Sequence, residues 1–575
     1  MNEIKFTDIL KANQLSLDKF KDSKVYKVKV LTNITCNQLA EAIKYNLYGA
    51  GICCTVDFGD YDNIIQDSAT CDGYDLVIIH YDLITVLDKK SKFIENFSDV
   101  EIKSFCESIN NDVDFILANL KNAPLVLFNS LDGDYIYCNS LINSCISGIS
   151  SNLNSHLFAI NYSNLHIVDT SEIIKNVGLN SAIDLKLFTL SKTLYTFKFW
   201  MEYSNAIRPL ICKVNGKLKK AVIFDCDNTL WKGILGEDGE DGIDMSISSK
   251  IGFYYNKIQQ IAVWLAHQGV IIGLCSKNNP DDVMHVINSH KDMCLHDDNI
   301  VISKVNWQDK ASNLKAIAKE LNIGIDSIIF VDDSPFEINL IREQVPDVLT
   351  FQVPSNIIEY PSQFIRLINR WFYLDGNKAD AAKTLQYKQQ AQREEAKEGF
   401  SSIESYLKSL QLSIKIDKDD ASSVARIAQL TQKTNQFNVT TRRYTEQQIK
   451  GFIADPNCSV LSISVTDKFG DSGLTGVVIV VEKESAAIID SFIMSCRIMG
   501  RNIEKAIMNY IISSLSKHGV SDVEAEYIPT KKNLPVAKLF DDFGFTVCAM
   551  ENGNKKYALK LHEYKVQDVD YIKIN

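Results

Sequence analysis

The chain has 575 residues, 46% of them hydrophobic and 23% charged, with a formal net charge of −11. These are proportions of a globular protein with several domains, and the excess of acid argues against nucleic-acid binding by electrostatics. No apolar run is long enough to span a membrane, and the opening Met1-Asn-Glu-Ile-Lys-Phe6 lacks a charged-then-apolar leader, so the expected location is the cytoplasm.

Residues 25–31 read as a strand, Thr32-Asn33 as a turn, and Leu39, Ile43 and Leu47 as one face of a helix that Gly49 and Gly51 end. Further strands are expected at 52–56, 76–79, 125–128 and 158–160, with a helix over 105–120. This alternation makes residues 1–215 a doubly wound α/β domain, with the layering of the SGNH hydrolases. Such a hydrolase needs a serine after the first strand and a late Asp-x-x-His. Here the strand ends Leu31-Thr32-Asn33 and the domain has no Asp-x-x-His, so it is expected to dock rather than catalyse. His80 and His166 fall at strand positions and are expected in the core or at an edge. The fourteen cysteines show no C-x-x-C pair and are expected to be reduced and mostly buried.

The most informative stretch is Lys219-Lys-Ala-Val-Ile-Phe-Asp-Cys-Asp-Asn-Thr-Leu-Trp231. Residues 221–224 are an unbroken apolar run, the pattern of a central parallel strand. Asp225 to Thr229 follow at its carboxyl end, where open α/β sheets bind ligands. Two carboxylates two residues apart can hold a hard cation, or divide attack and proton transfer between them. Tyr254, Ile258, Ile261 and Leu265 then form a helix face closed by Gly269, and a strand over 270–275 ends in Ser276, Lys277, Asn278 and Asn279. Asp309-Lys310 opens a helix with Leu314, Ile317, Ala318 and Leu321 inward, and a strand over 327–331 ends in Asp332-Asp333.

Acid pair, hydroxyl, lysine and acid pair, each at a strand end or helix start, resemble the four-motif order of the haloacid dehalogenase (HAD) phosphotransferases. That resemblance implies a HAD-type Rossmannoid parallel sheet over 216–375, with Asp225 as phosphoryl-accepting nucleophile and Asp227 as general acid and base. It also implies Ser276 and Lys310 as phosphate ligands, with Thr229, Lys277 and Asn278 alongside. Mg²⁺ would be held by Asp225, Asp227 through its main chain, Asp332 and the adjoining Asp333. The glycine-punctuated Gly233-Ile-Leu-Gly-Glu-Asp-Gly239 suits a small flap, and the motifs leave little room for a large cap, so a bulky or protein-borne substrate could enter. His285, His290, Cys294 and His296 lie close in sequence, at a spacing that fits no usual zinc site. Cys226 has two readings: a nucleophile that takes an acyl group as a thioester, or a buried structural thiol, since strand alternation turns it from the face of Asp225 and Asp227.

Residues 376–400 are expected to be a solvated helical connector rich in Lys, Gln, Glu and Ala. In 401–575 an amphipathic stretch over 403–410 precedes strands at 412–416, 474–481, 486–493 and 523–527. Ser495-Cys-Arg-Ile-Met-Gly-Arg-Asn-Ile-Glu504, between a strand and a helix, resembles the acyl-CoA-binding turn of the GNAT acetyltransferases, with Asn502 departing from its third small residue. The resemblance implies a GNAT-like α+β domain that binds a phosphopantetheine arm at the helix N-terminus through Arg497, Gly500 and Arg501.

Over nearly its full length the chain resembles the FkbH-like family of HAD subfamily IIIC. The residues that carry this include Asp225 to Trp231, Cys275 to Asn279, Asn306 to Lys310, Phe330 to Glu337, Gln432 to Asn438, Phe469 to Asp471 and Ser495 to Arg501. The family implies transfer of a glyceryl unit from a phosphorylated three-carbon glycerate to an acyl carrier protein, through a thioester at Cys226 and with loss of phosphate. Asp471 and the pair Arg442-Arg443 are candidates for touching the carrier. The alternatives are a stand-alone Mg²⁺-dependent phosphatase on a small phosphorylated metabolite, and a carrier-binding scaffold whose HAD site is vestigial.

Overall fold

The computed structural model describes residues 5–20, 24–89, 94–133, 140–374, 382–398, 400, 402–483, 485–530 and 532–575. They fall into two compact units, Met1–Asn215 and Gly216–Asn575.

In the first unit β1 (Tyr26–Thr32), β2 (Cys54–Phe58), β3 (Leu76–His80), β4 (Val126–Asn129) and β5 (Leu165–Val168) form one parallel sheet in the order β2-β1-β3-β4-β5. This is a doubly wound order. Central β3 is buried at every position, as an apolar run between two helical layers requires. The expected strand at 158–160 is corrected. Those residues close the helix Ser140–Ala159, in which Leu153 and Leu157 are buried four apart and Phe158 faces out; the strand begins later, at Leu165.

His80 is the core histidine expected of it, ringed by Tyr195, Phe199, Trp200 and Tyr203 at centroid distances of 5.2–6.5 Å. His166 lies on β5, where burial lowers its pKa to about 4.

The second unit opens with β6 (Ala221–Phe224), β7 (Ile271–Ser276), β8 (Ile300–Val305), β9 (Ile328–Asp332) and β10 (Leu349–Gln352), all parallel, in the order β10-β9-β6-β7-β8. Strand order reverses at β6, so the crevice at its carboxyl end is the topological switch point where such sheets bind ligands. Val222 and Phe224 pack under the helices Gly252–His267 and Tyr360–Trp371. Ala221 and Ile223 pack under Lys310–Glu320 and Pro335–Gln344 on the other face.

The same unit contains a larger, mostly antiparallel sheet of β11 (Ser413–Lys418), β12 (Phe437–Asn438), β13 (Cys458–Asp467), β14 (Gly470–Lys483), β15 (Ala486–Met494), β16 (Asp522–Tyr527), β17 (Thr546–Glu551), β18 (Asn554–Lys560) and β19 (Lys573–Ile574). Its only parallel pairs among the described residues are β15 with β16 and β11 with β19. With the helix Ile503–Lys517 packed into its core, it forms an α+β layer.

The connector, as far as it is described, is not the solvated rod expected; residues 376–381 lie outside the described residues. In the helix Ala382–Glu398, Tyr387 is buried in the core beneath the parallel sheet. Arg393 meets Asp467 of β13 through two hydrogen bonds of 2.8 Å. Composition hid this because Tyr387, Gln390 and Arg393, the buried residues among those described there, stand three apart in a stretch rich in Lys, Gln and Glu.

Candidate active site

The turn after β6 is built by its own sequence. After β6 the chain reverses within five residues, with Thr229 and Leu230 both donating to the Cys226 carbonyl and Asn228 in the left-handed region at φ 49°. Asparagine tolerates that conformation, and its side-chain oxygen accepts from the Gly233 amide at 3.0 Å. Gly233, at φ +102°, begins a small flap in which Lys232 and Asp244 exchange two main-chain hydrogen bonds of 2.9 Å, followed by the short helix Leu235–Asp238.

Asp225 is left at the strand end, 5% exposed, facing Lys310 at 3.1 Å. Lys310 is the first residue of a helix that Asp309 caps, accepting from the Ser312 amide at 2.8 Å. A cation at the positive end of a helix is misplaced on its own account; here it is held by Asp225 and by Asp332, the latter at 2.7 Å. Burial works against that charge, but the two carboxylates outweigh it and raise the lysine above its ordinary pKa. The other oxygen of Asp332 accepts from the Ser334 amide at 2.8 Å. Burial raises Asp332, and the charge of Asp225 raises it further. Asp333 is pushed up to about 6 by burial first and by Asp225 second.

Asp225, Asp332 and Asp333 each offer an oxygen within 4.8 Å of the others. Three carboxylates against one ammonium leave two negative charges uncompensated in a largely buried crevice, and an all-oxygen donor set suits a hard divalent cation. These residues therefore fit Mg²⁺. The side chain of Asp227 is held apart from this trio. Its Oδ1 accepts from the Trp231 indole at 2.9 Å and the Leu235 amide at 3.1 Å, and its Oδ2 from Asn278 at 2.9 Å. That arm suits proton transfer, and burial raises its pKa in the direction a general acid needs.

Among the other expected residues, Thr229 is fully buried and its hydroxyl has no partner, which leaves a donor for a ligand at the turn. Ser276 is buried at the end of β7, with its hydroxyl at the Cys226 thiol. The Lys277 ammonium pairs with Glu337 at 2.7 Å. Asn278 donates to Asp227 at 2.9 Å and so positions that carboxylate. Cys226 is fully buried beside Phe224, Leu230 and Trp231, and burial, reinforced by Asp225, pushes its thiol well up.

The expected carrier-binding turn is corrected most. Arg501 pairs with Asp467 at 2.9 Å and donates to Gln390 at 2.8 Å, while Arg497 donates to Gln386 and to Ser495. Both are buried, and donors of each reach the helix Ala382–Glu398. Gly500 has φ +75°, and Asn502, at φ 59°, caps the next helix while donating to the Tyr571 hydroxyl at 2.8 Å. Asp471 is exposed on the β13–β14 hairpin, where it accepts from the Gly473 amide at 2.7 Å. Arg442 bridges Asp490 and Glu526, and Arg443 donates to Asn435 at 2.6 Å. The histidines and cysteine between 285 and 296 do not assemble: the acidic trio is the only metal-capable group found among the described residues.

Sequence reasoning missed Trp231 and Glu337. Trp231 closes the quoted motif four residues after Asp227 across a tight turn, a spacing that could have suggested the contact. Nothing in the sequence links Glu337 to Lys277.

The parallel sheet with its acid-lysine crevice at the switch point has a fold also seen among solved phosphatase domains. A solved structure of that kind is the N-terminal part of the protein BF1531 from Bacteroides fragilis, containing a phosphatase domain complexed with Mg; it is 24% identical, the match covers 64% of this chain and 99% of that one, and the TM-score is 0.55. The ribosomal-protein-S18-alanine N-acetyltransferase from Escherichia coli also matches, at 14% identity over 26% of this chain and 94% of that one, with a TM-score of 0.21. So does the GNAT domain of S. lividans PAT, at 14% identity over 25% of this chain and 89% of that one, with a TM-score of 0.21. No family profile and no curated protein matches the chain. No helix among the described residues is long and apolar enough to cross a membrane.

Proposed function

We propose that the chain is a Mg²⁺-dependent phosphoryl-transfer enzyme that removes phosphate from a small acyl phosphate or phosphate ester. The supporting observation is the trio Asp225, Asp332 and Asp333 gathered within 4.8 Å around one lysine, with a fourth carboxylate, Asp227, held apart on hydrogen bonds. A carboxylate oxygen of Asp225 attacks phosphorus, and the bond from phosphorus to the leaving oxygen breaks. Asp227 gives that oxygen its proton. Asp227, now a carboxylate, takes a proton from water as the water oxygen attacks the aspartyl phosphate, which releases inorganic phosphate and restores Asp225. Lys310 neutralises the equatorial oxygens throughout. Mg²⁺ held by Asp225, Asp332 and Asp333 would supply further positive charge there.

The test is phosphate release from acetyl phosphate by the full chain in MgCl₂. Asp225→Asn is expected to lower it by on the order of a thousandfold or more, with the melting temperature kept. Turnover that survives this substitution would sink the reading.

A second reading is glyceryl transfer from a phosphorylated three-carbon metabolite to an acyl carrier protein, through Cys226. It is favoured by the Ser276 hydroxyl at the Cys226 thiol, beside the acid crevice, and opposed by the burial of that thiol. Mass spectrometry after mixing with 1,3-bisphosphoglycerate decides. A glyceryl adduct lost in Cys226→Ser supports transfer, and an unmodified chain that still releases phosphate leaves only the first reading.

A further inference from the structure

The carboxyl group of Asp227 turns about a soft terminal torsion, so a proton on it has a direction only if neighbours fix the plane of the group. Three N–H donors fix it. Oδ1 accepts from the Trp231 indole at 2.9 Å and from the Leu235 amide at 3.1 Å, and Oδ2 accepts from Asn278 at 2.9 Å. A carboxyl oxygen has two lone pairs, and none of these N–H groups can accept in return. A proton therefore has no place on Oδ1 while both of its bonds stand. Among the described residues no second donor reaches Oδ2, and Asp227 is only half-buried. The free site on Oδ2 is where a proton can be carried and passed on.

Of these donors the indole has the firmest seat. Leu235 belongs to the small flap, and Asn278 follows the end of β7. Trp231 is fully buried, packed in the core with Phe224, Cys226 and Leu230. The turn that carries it is pinned from two helices. Gln259 of Gly252–His267 donates to the Leu230 carbonyl at 2.8 Å, and Tyr360 of Tyr360–Trp371 donates to the Thr229 carbonyl at 3.3 Å. Phenylalanine would fill much of the same space. What tryptophan adds is one N–H, which needs an acceptor when buried, and the acceptor it meets is the carboxylate four residues earlier.

We propose that Trp231 is a positioning residue: by occupying Oδ1 together with the flap amide, its indole turns Oδ2 of Asp227 to the oxygen that leaves phosphorus. The role rests on the phosphoryl-transfer reading of this site. The proton moves from Oδ2 to the leaving oxygen as the bond from that oxygen to phosphorus breaks. The bonding electrons stay with the leaving oxygen, and Asp227 is left as a carboxylate whose Oδ1 keeps both N–H bonds.

The test follows first turnovers of the full chain by rapid quench in MgCl₂. It compares an alkyl phosphate, whose alkoxide needs the proton, with acetyl phosphate, whose carboxylate does not. The N–H is removed in two ways: by Trp231→Phe, and by exchanging this tryptophan for benzothienylalanine, which keeps the fused-ring shape and the core packing. Both are expected to lower the saturating rate on the alkyl phosphate about tenfold and that on acetyl phosphate far less, with half-saturation concentrations kept. Added to Asp227→Asn, either exchange should cost nothing further, because no proton is left to aim. Equal losses on both substrates, a loss confined to half-saturation, a further loss beside Asp227→Asn, or an undiminished rate with benzothienylalanine would each overturn the role of Trp231. A parent chain whose turnover survives Asp225→Asn would instead sink the phosphoryl-transfer reading, and the role of Trp231 with it.

Discussion

Two five-stranded parallel sheets in one chain differ in what stands at their carboxyl edges. At the first, polar groups answer one another. Asn33 accepts from the Asp82 amide at 2.7 Å and donates to the Asp82 carbonyl at 2.9 Å. Asn129 does the same with the main chain of Tyr81, at 2.6 and 3.2 Å, and Ser130, Thr170 and Asp132 close a third circuit. At the second, three carboxylates crowd one ammonium and a threonine hydroxyl has no partner. The same architecture thus gives a closed edge, whose polar groups fix loops, and an open one, whose surplus negative charge suits a divalent cation.

The sharpest way to break this contrast is Lys310→Met. Phosphate release is expected to fall by on the order of 10²–10³, and stability without Mg²⁺ by about 3–5 kcal/mol, because buried carboxylates lose their counter-charge. Added MgCl₂ should restore part of the stability measured by urea denaturation and little of the rate. If stability were unchanged, the crevice would not be charge-strained.

Asp227→Asn tests the separate duty given to the fourth carboxylate. An alkoxide leaving group needs its proton and a carboxylate leaving group does not. Hydrolysis of an alkyl phosphate should therefore fall by about 10²-fold, and the first turnover of acetyl phosphate much less. Equal losses on both would place Asp227 in binding rather than proton transfer.

At the closed edge the expected effects are on stability alone. Asn33→Ala removes one partner from each of two buried main-chain groups. It should lower stability by about 2–3 kcal/mol without altering phosphate release; a change in turnover would mean that the first edge also serves the chemistry.

How much of this could be read in the sequence follows the same division. Asp225, Asp227, Lys310 and Asp332 were legible because each ends an apolar run or starts a helix, and strand order then brings the positions together. The partners that tune them were not. Glu337 finds Lys277 across 60 residues, and Arg393 finds Asp467 across 74, pairings that leave no periodic trace. Arg497 and Arg501 misled for the same reason: an arginine at a helix start reads as an anion site until one knows that Gln386, Gln390 and Asp467 reach it first. The strand expected at 158–160 failed because a short apolar run suits either element, and the buried spacing of Leu153 and Leu157 belongs to the helix.

The smallest expected effect concerns His80, a misfit of the closed edge. Both of its ring nitrogens lack partners, and burial lowers its pKa from 6.5 to about 3. Below pH 6.5 the unfolded chain takes up a proton that the folded one refuses, so the stability linked to the neutral ring is complete above 6.5 and is lost as pH falls toward 3. At pH 5 the loss is about 2 kcal/mol. Two residues on, Asp82 carries the opposite sign, since burial raises it to about 6 and its contribution falls as pH rises from 3.8. Comparing His80→Phe with the parent chain cancels Asp82, for the carboxylate is the same in both. The aromatic cage already packs rings edge to face, so phenylalanine should be tolerated at pH 7.5. The advantage of the variant in urea denaturation should then grow to about 2 kcal/mol at pH 5. Parallel curves at the two pH values would mean that a water or a shifted ring answers the imidazole.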